Sequence, residues 1–396
     1  MMSHLSFTLN QDQRVDRWNV GIDMGKNKWV MDTLDTANGK HRRHLFTGPS
    51  HLDDTLERLA ELVSTGREVD VIYEAGRNGF TPARLMAAVG ARVTIVPVNK
   101  LEVVNTGKKV KSDRVDARGL SERDARAEGF PSVWVPSVDQ ECRRRMLREE
   151  QRLSKDIKRN NNRILGILER WPLASDSRHM PAAAWRERID QWRRKKLIGR
   201  VLPEPELACI CNLVAELEVQ EKNFAEWQKR TAAELQEERN TAVKAGKVHS
   251  VDILMEYKGI GEQIARGVAW QVGDIERFAN GKKVASYFGL VPVPYESGQM
   301  SRCQGISKSG NPDLRRKLIE LAWLWVRYQP DSPITRKWAP ALARKGRSRK
   351  TAIVAVARQL VVALFRLLKY GHPLEGAVKN RPIPVPAATP VSPLAS

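Results

Sequence analysis

Two carboxylates three residues apart, Asp113 and Asp116, stand in Lys111-Ser-Asp-Arg-Val-Asp-Ala-Arg118 among the cations Lys111, Arg114 and Arg118. The run into Gly119-Leu-Ser-Glu-Arg-Asp-Ala-Arg126 predicts a helix, in which an i, i+3 spacing puts both acids on one face. A divalent metal uses such a pair, because Mg²⁺ is held by one or two carboxylates while waters and phosphate oxygens complete its octahedron. Two further acids close apolar runs: Asp23 after Val20-Gly-Ile22, and Glu74 after Val69-Asp-Val-Ile-Tyr73. Four carboxylates converging at one sheet edge would clamp two Mg²⁺ ions roughly 3.5 to 4 Å apart, a pair that stabilises the attacking and leaving oxygens at phosphorus. The alternative leaves Asp113 and Asp116 as solvated partners of Arg114 and Arg118, with Asp23 capping a turn.

Ser297 belongs to a second constellation. It lies in the Gly-rich segment Tyr295 to Gly310, close in sequence to Arg302, Lys308, Arg315 and Arg316, cations suited to holding a phosphate. Lys111 and Arg114 are the matching phosphate contacts beside the acids. A serine hydroxyl is a weak nucleophile unless a base or metal activates it; Glu296 is the one local base, and a remote carboxylate or a metal is the alternative. By composition Ser297, Ser301, Ser307 and Ser309 are equivalent as phosphate-contacting loop serines. Trp323 and Trp325, two apart in an apolar helix, point differently, which fits core packing but leaves base stacking open for one of them.

The 396 residues suffice for two or three domains with cores of their own, and 67 Lys+Arg against 46 Asp+Glu give a formal charge of +21, which makes a polyanion the expected partner. The excess is +2 over residues 1–130, +6 over 131–250 and +13 over 251–396, so the acids sit in a nearly neutral part and the cationic surface grows toward the C-terminus. Four cysteines without ligand spacing exclude a zinc finger, and a reduced cytoplasmic protein is expected. The first residues have neither a basic run nor a long apolar run, so no secretion signal is expected. The most apolar segment, Ala352 to Leu368, contains Arg358 and Arg366 and reads as an amphipathic core helix, so no membrane association is expected.

The elements that must position these groups alternate. Residues 18–36 predict a strand, a turn and a returning strand, with a tight turn at Ala37-Asn-Gly-Lys40; helices follow at 51–64 and 80–89, and strands at 69–74 and 92–98. Such alternation predicts an α/β layer fold with a mixed sheet. From Met146 to Trp171 a heptad frame runs through Met146, Leu153, Asn160, Ile167 and Glu150, Ile157, Ile164, Trp171. A break rich in Trp, Pro and basic residues leads to a second helical stretch, 207–239, which predicts an antiparallel helical hairpin. Met255-Glu-Tyr-Lys-Gly-Ile-Gly261 has the look of a helix-hairpin-helix turn, and the Pro-rich tail is expected to be disordered. The resulting division is 18–135, 136–247, 248–372 and a tail at 373–396.

Six features in order carry a resemblance: Gly21-Ile-Asp-Met-Gly-Lys26, Tyr73-Glu-Ala-Gly76, Lys111 to Arg118, Gly259-Ile-Gly261, Gly289-Leu-Val-Pro292, and Tyr295-Glu-Ser-Gly298 with Lys308-Ser-Gly-Asn-Pro312. Over about residues 18–372 the chain resembles the "one-ten" family of bacterial insertion-sequence transposases, also described as bridge-RNA-guided recombinases. The resemblance implies an RNase H-like (RuvC-like) N-terminal domain, a helical coiled-coil arm and a mainly α-helical C-terminal domain bearing a nucleophilic serine. It places Asp23, Glu74, Asp113 and Asp116 in the family's acidic tetrad, with Mg²⁺ as cofactor, and Ser297 as nucleophile forming a covalent phosphoserine intermediate. The implied partners are DNA, a noncoding guide RNA and further copies of the chain completing a composite site. Departures are the N-terminal extension, Met24-Gly25, the long Trp/basic insert, and Met300-Ser-Arg-Cys-Gln-Gly305 after the serine. Three rival readings stand beside it: a metal-dependent nuclease or junction resolvase without a covalent intermediate, a non-catalytic RNA/DNA-binding protein, and an actin-like phosphotransferase suggested by Gly21 to Gly25 alone.

Overall fold

Alternating apolar residues build β1 (Arg17–Met24) and β2 (Lys28–Asp35), and the Asn38-Gly39 turn returns the chain into β3 (His41–Thr47). Gly39 takes φ +71°, and Asn38 is held by Asp35 Oδ2 at 2.8 Å, as a tight hairpin turn requires. Helix α1 (His51–Val63), β4 (Glu68–Glu74), α2 (Thr81–Ala88) and β5 (Arg92–Val96) follow, then α3 (Asp113–Ser121). This computed structural model describes residues 16–97, 113–127, 130–171, 173, 179–297 and 300–380, with the backbone alone at 113–115, 294–297 and 300–304. The chain divides into two compact units at Ser137/Val138.

In the first unit the sheet order is β3-β2-β1-β4-β5, with β1 antiparallel to β2 and parallel to β4. The mixed sheet expected from the alternation is therefore present. β3, an edge strand with a largely exposed polar pattern, was legible only as a turn. One face packs Val20, Ile22, Val71, Tyr73 and Ile95 against Leu59, Leu62 and Met86 of α1 and α2. The other face is covered by α3 and the segment after it, and much of what it buries is charged. Arg17 lies 3.5 Å from Asp70 and 2.9 Å from Asp124, and Asp70 also accepts from Arg126 at 2.6 and 3.0 Å. Those bonds push the Arg126 guanidinium pKa up from its ordinary value. Asp32, 2% exposed, accepts from Ser121 Oγ at 2.6 Å and lies 2.7 Å from His41 Nδ1. Buried charges are tolerated only when paired in this way.

The second unit begins with α4 (Val138–Leu168), α5 (Ala182–Arg194) and α6 (Glu204–Lys244). α4 and α6 run antiparallel: Arg143 meets Glu234, Trp227 Nε1 donates to Met146 O, and Asn160 donates to Glu216. Of the eight heptad positions, Glu150, Leu153, Asn160 and Ile164 are buried and the other four are half-buried; Arg144, Leu147, Asn161 and Leu168 complete the buried stripe. That drift is what a nearly straight 3.6-residue helix produces against a strict 3.5 repeat. The Trp/basic break between the two long helices contains α5, because Trp185, Ile189 and Trp192 recur at helical spacing and bury against Ile164, Leu168, Ile210 and Val214.

The remaining elements are α7 (Ser250–Met255), α8 (Glu262–Val272), α9 (Gly281–Tyr287), the hairpin β6 (Pro292–Ser297) and β7 (Met300–Ile306), α10 (Pro312–Tyr328), α11 (Pro333–Leu342) and α12 (Arg347–Tyr370). They surround a core that includes Val268, Phe288, Leu318, Trp325, Leu360 and Phe365. α12 is long and apolar enough to cross a membrane, yet Ala352, Ile353, Val356, Leu360 and Leu364 are buried in this core, as the amphipathic reading expects. The tail expectation is corrected for residues 373–380. Gln329, 1% exposed, donates to Val378 O and accepts from Val378 N at 2.8 and 2.7 Å, pairing with the segment as a neighbouring strand would. Residues 381–396 lie outside the described residues.

Glu150 of α4 accepts two bonds from Arg266 of α8, at 2.9 and 2.8 Å, with both side chains 5% exposed. Lys317 of α10 faces the same pair, and burial pushes its ammonium pKa down against the opposing pull of Glu150. Glu150→Ala leaves two cations facing each other in the interior and is expected to cost about 3 to 5 kcal/mol in urea unfolding. Glu150→Met combined with Arg266→Leu is expected to recover most of that loss. A single variant with wild-type stability would show that the pair bears no structural weight.

Candidate active site

In the parallel ladder Ile22 pairs with Tyr73, so the next residues, Asp23 and Glu74, end adjacent strands side by side. Side chains alternate along a strand. Gly21 and Asp23 therefore share a face with Ile72 and Glu74, and Ile72 packs on Leu120 of α3. Helix and strand touch backbone to backbone at Gly21, where a Cβ would lie 2.0 Å from Ala117 O and 2.5 Å from Ser121 N. From there the chain runs antiparallel to β1, as Ser121 bonds Asp32 opposite Gly21, Asn19 donates to Arg123 O, and Arg17 pairs with Asp124. The N-terminus of α3, which carries Asp113 and Asp116, consequently points to the edge where Asp23 and Glu74 end. A cleft of about 110 Å³ opens there, lined by Asp23, Met24, Tyr73, Glu74, Gly76 and Asn78 among others. Asp23 and Asp116 are half-buried and Glu74 is exposed.

Among the described residues no three His, Cys, Asp or Glu side chains are grouped closely enough to hold a metal ion. The side chains of Asp113 and Arg114, and Lys111 altogether, lie outside the described residues. The structure thus brings Asp23 and Glu74 together and aims α3 at them. The part of Gly21 was missed in the sequence, although a glycine inside a strand is the usual sign of a close backbone approach.

Ser297 sits in a hairpin rather than the expected Gly-rich loop. It is the last residue of β6 and pairs with Met300, after Tyr295↔Arg302 and Glu296↔Ser301. The side chains of Ser297 and Arg302 lie outside the described residues. Two glycine turns lock the base of the hairpin. At Gly289 (φ +70°) a Cβ would fall 2.1 Å from Ser309 O, and at Gly310 (φ +81°) 2.1 Å from Tyr287 O. Arg315 Nη1 donates to Lys308 O, Ser309 O and Phe288 O at 3.0, 3.2 and 3.5 Å, so this predicted phosphate contact orders the turn. Arg316 is exposed and pairs with Asp313, while Lys308 is exposed at φ +55°. Ser307 and Ser309 bond each other at 3.0 Å. Asn311 caps α10 by accepting from Asp313 N and Leu314 N, and Pro312 opens the helix.

Residues 251–335, which contain this hairpin and both glycine turns, match the family model described as "Transposase IS116/IS110/IS902 family". A "Putative transposase y4rJ" of Sinorhizobium fredii is 31% identical over 391 residues, covering 92% of this chain and 94% of the relative. The chain belongs to this transposase family. A "Transposase for insertion sequence element IS1111A" of Coxiella burnetii is 27% identical over 66% of the transposase and 67% of the relative. A "Pilin gene-inverting protein" of Moraxella bovis is 28% identical over 32% of the transposase and 39% of the relative. The transposase is accordingly a DNA-recombining enzyme of an insertion sequence, with DNA as its partner.

Proposed function

We propose that this transposase cuts and rejoins DNA through Ser297, with Asp23, Glu74, Asp113 and Asp116 holding Mg²⁺. The observation that carries the metal half is the pairing of Asp23 with Glu74 on the face and at the edge to which α3 points. Carboxylates are the hard oxygen donors Mg²⁺ selects, and when bound it would supply charge stabilisation to oxygens at phosphorus. In the proposed step Ser297 Oγ forms a bond to phosphorus as the phosphodiester P–O bond to the departing strand breaks. The hydroxyl proton passes to a base and the leaving oxygen takes one up. The reverse attack by a new strand end restores the phosphodiester and frees the serine.

The mixed sheet with acids at the β1/β4 edge supports a RuvC-like reading of the first unit, and the α4/α6 pairing supports the coiled-coil arm. A guide RNA, a homo-oligomer and a cytoplasmic location belong to the same proposal; base pairing would then read sequence while the basic protein contacts the backbone. The metal half also suits a nuclease or junction resolvase in which water attacks, since Asp23 and Glu74 are assembled independently of the serine.

Asp23→Asn and Glu74→Gln test the metal half. Each is expected to slow Mg²⁺-dependent cleavage of element ends about a thousandfold, roughly 4 kcal/mol of barrier, with DNA affinity within a few-fold of wild type. Undiminished cleavage by both variants, or full cleavage by the wild type in EDTA, would remove the acidic site from the reaction.

A further inference from the structure

One face of α10 remains in solvent: Arg316, Glu320, Trp323 and Arg327 follow one another along it at helical spacing, and all are exposed. Trp323 is the odd member. Its neighbour Trp325 is 1% exposed and donates its indole N–H to Ser332 Oγ at 2.9 Å, whereas Trp323 is 39% exposed. The Arg349 guanidinium lies 5.1 Å above the Trp323 ring. Arg349 belongs to Arg344-Lys-Gly-Arg-Ser-Arg-Lys350, whose five cations are all exposed and, among the described residues, make no ion pair. No Asp or Glu occurs between Asp331 and Glu375, against ten Lys and Arg. Farther along α10, Tyr328 is 37% exposed with Lys258 and Arg327 over its ring at 5.8 and 5.5 Å.

The five cations of Arg344 to Lys350, with Arg327, outnumber Glu320, the one acid named on this face, so the surface is complementary to a polyanion. The exposed rings narrow the class. A duplex presents phosphates and hides the faces of its bases, and an acidic protein surface uses charge without needing a flat apolar platform. An unpaired strand uses both, with phosphates on Lys and Arg and bases stacked on aromatic faces. Along the helix Trp323 lies about 10 Å from Arg316 and about 6 Å from Arg327. α10 starts at the Asn311 cap beside the turns that lock the Ser297 hairpin. The strip therefore leads away from that hairpin.

We propose that the outer face of α10 and the start of α12 form a track for an unpaired DNA strand, with Trp323 as stacking platform and Arg327, Arg344, Arg349 and Lys350 as phosphate contacts. Only the direction of the track, outward from the cutting point, rests on Ser297 being the nucleophile.

The test is fluorescence anisotropy of the full chain with labelled oligothymidylate, oligouridylate and a DNA duplex of equal length. Trp323→Ala is expected to weaken oligothymidylate binding about tenfold or more and to leave duplex binding within about twofold, while Trp323→Phe stays close to wild type. Arg344→Ala with Lys350→Ala is expected to flatten the salt dependence by about 1 to 2 units of slope. Equal losses for single strand and duplex, or no loss, would overturn the stacking platform. A Trp323-dependent preference for oligouridylate would overturn DNA as the occupant. Ser297→Ala must bind oligothymidylate like wild type; if it also cleaves like wild type, the nucleophile reading fails while the track stands.

Discussion

Ser297→Ala is expected to lower strand transfer by about a thousandfold or more and to eliminate a protein–DNA adduct that survives denaturation. Removing a nucleophile deletes the covalent path itself, and comparable deletions in acyl transfer cost far more than the loss of a binding contact. The chemistry also supplies a second readout. A serine-linked phosphodiester keeps the bond type of the strand it replaces, so rejoining proceeds without ATP, whereas hydrolysis by water ends with a free strand end that cannot be resealed in the same way. The variant should bind DNA normally, because Gly289, Gly310, Asn311 and Arg315 hold the base of the hairpin without the serine side chain. Undiminished cleavage by Ser297→Ala would sink the serine reading and leave the water-attack nuclease.

Gly21→Ala should be the most damaging single methyl group in the first unit. Its Cβ would sit 2.0 Å from Ala117 O and 2.8 Å from Leu120 Cβ, both on α3. A carbonyl oxygen in a helix cannot swing aside as a long side chain can, so α3 must lift from β1. Overpacking of this kind costs about 1 to 3 kcal/mol, and often more where backbone is displaced. A shift of about 1 Å between Asp116 and Asp23 would in addition slow the reaction on the order of a hundredfold. Gly119→Ala, on the same helix with nothing within 4 Å of the new atom, is the matched control. It is expected to be neutral or to stabilise by about 0.5 to 1 kcal/mol. Urea unfolding and cleavage rates measured on both variants decide the matter: wild-type values for Gly21→Ala would mean that the α3–β1 approach is not needed.

What was legible in the sequence follows the range of the interactions involved. β1, β2, α1, β4, α2 and β5 announce themselves through local alternation and turn chemistry, and with them the placement of Asp23 and Glu74 at strand ends. β3 does not, because His41-Arg-Arg-His-Leu-Phe-Thr47 lies at the sheet edge with an exposed, polar pattern. The buried charges were not legible either. Arg17 and Asp124 are 107 residues apart in the chain, and only the packing of α3 and its following segment makes them partners. Arg315 shows the same limit at the second site: a cation spoken for by three carbonyls looks, in sequence, like one available for a phosphate. Ser297 reads as a loop residue in sequence because its Gly, Ser and basic neighbours hide the short alternation that pairs β6 with β7. The two-residue spacing already points Trp323 and Trp325 in different directions, but which of them faces water depends on Ser332 and the core behind it.

The α4/α6 pair joins two hydrophobic clusters, one with Trp185, Ile189 and Val214 and one with Leu147, Leu235 and Trp270. Between them, from Glu218 to Arg230, α6 buries no residue. A helix of 41 residues extends about 60 Å. Held by a cluster toward each end, α6 acts as a lever: a tilt of about 5° at Leu235 would carry Glu204, 31 residues or about 47 Å away, through roughly 4 Å.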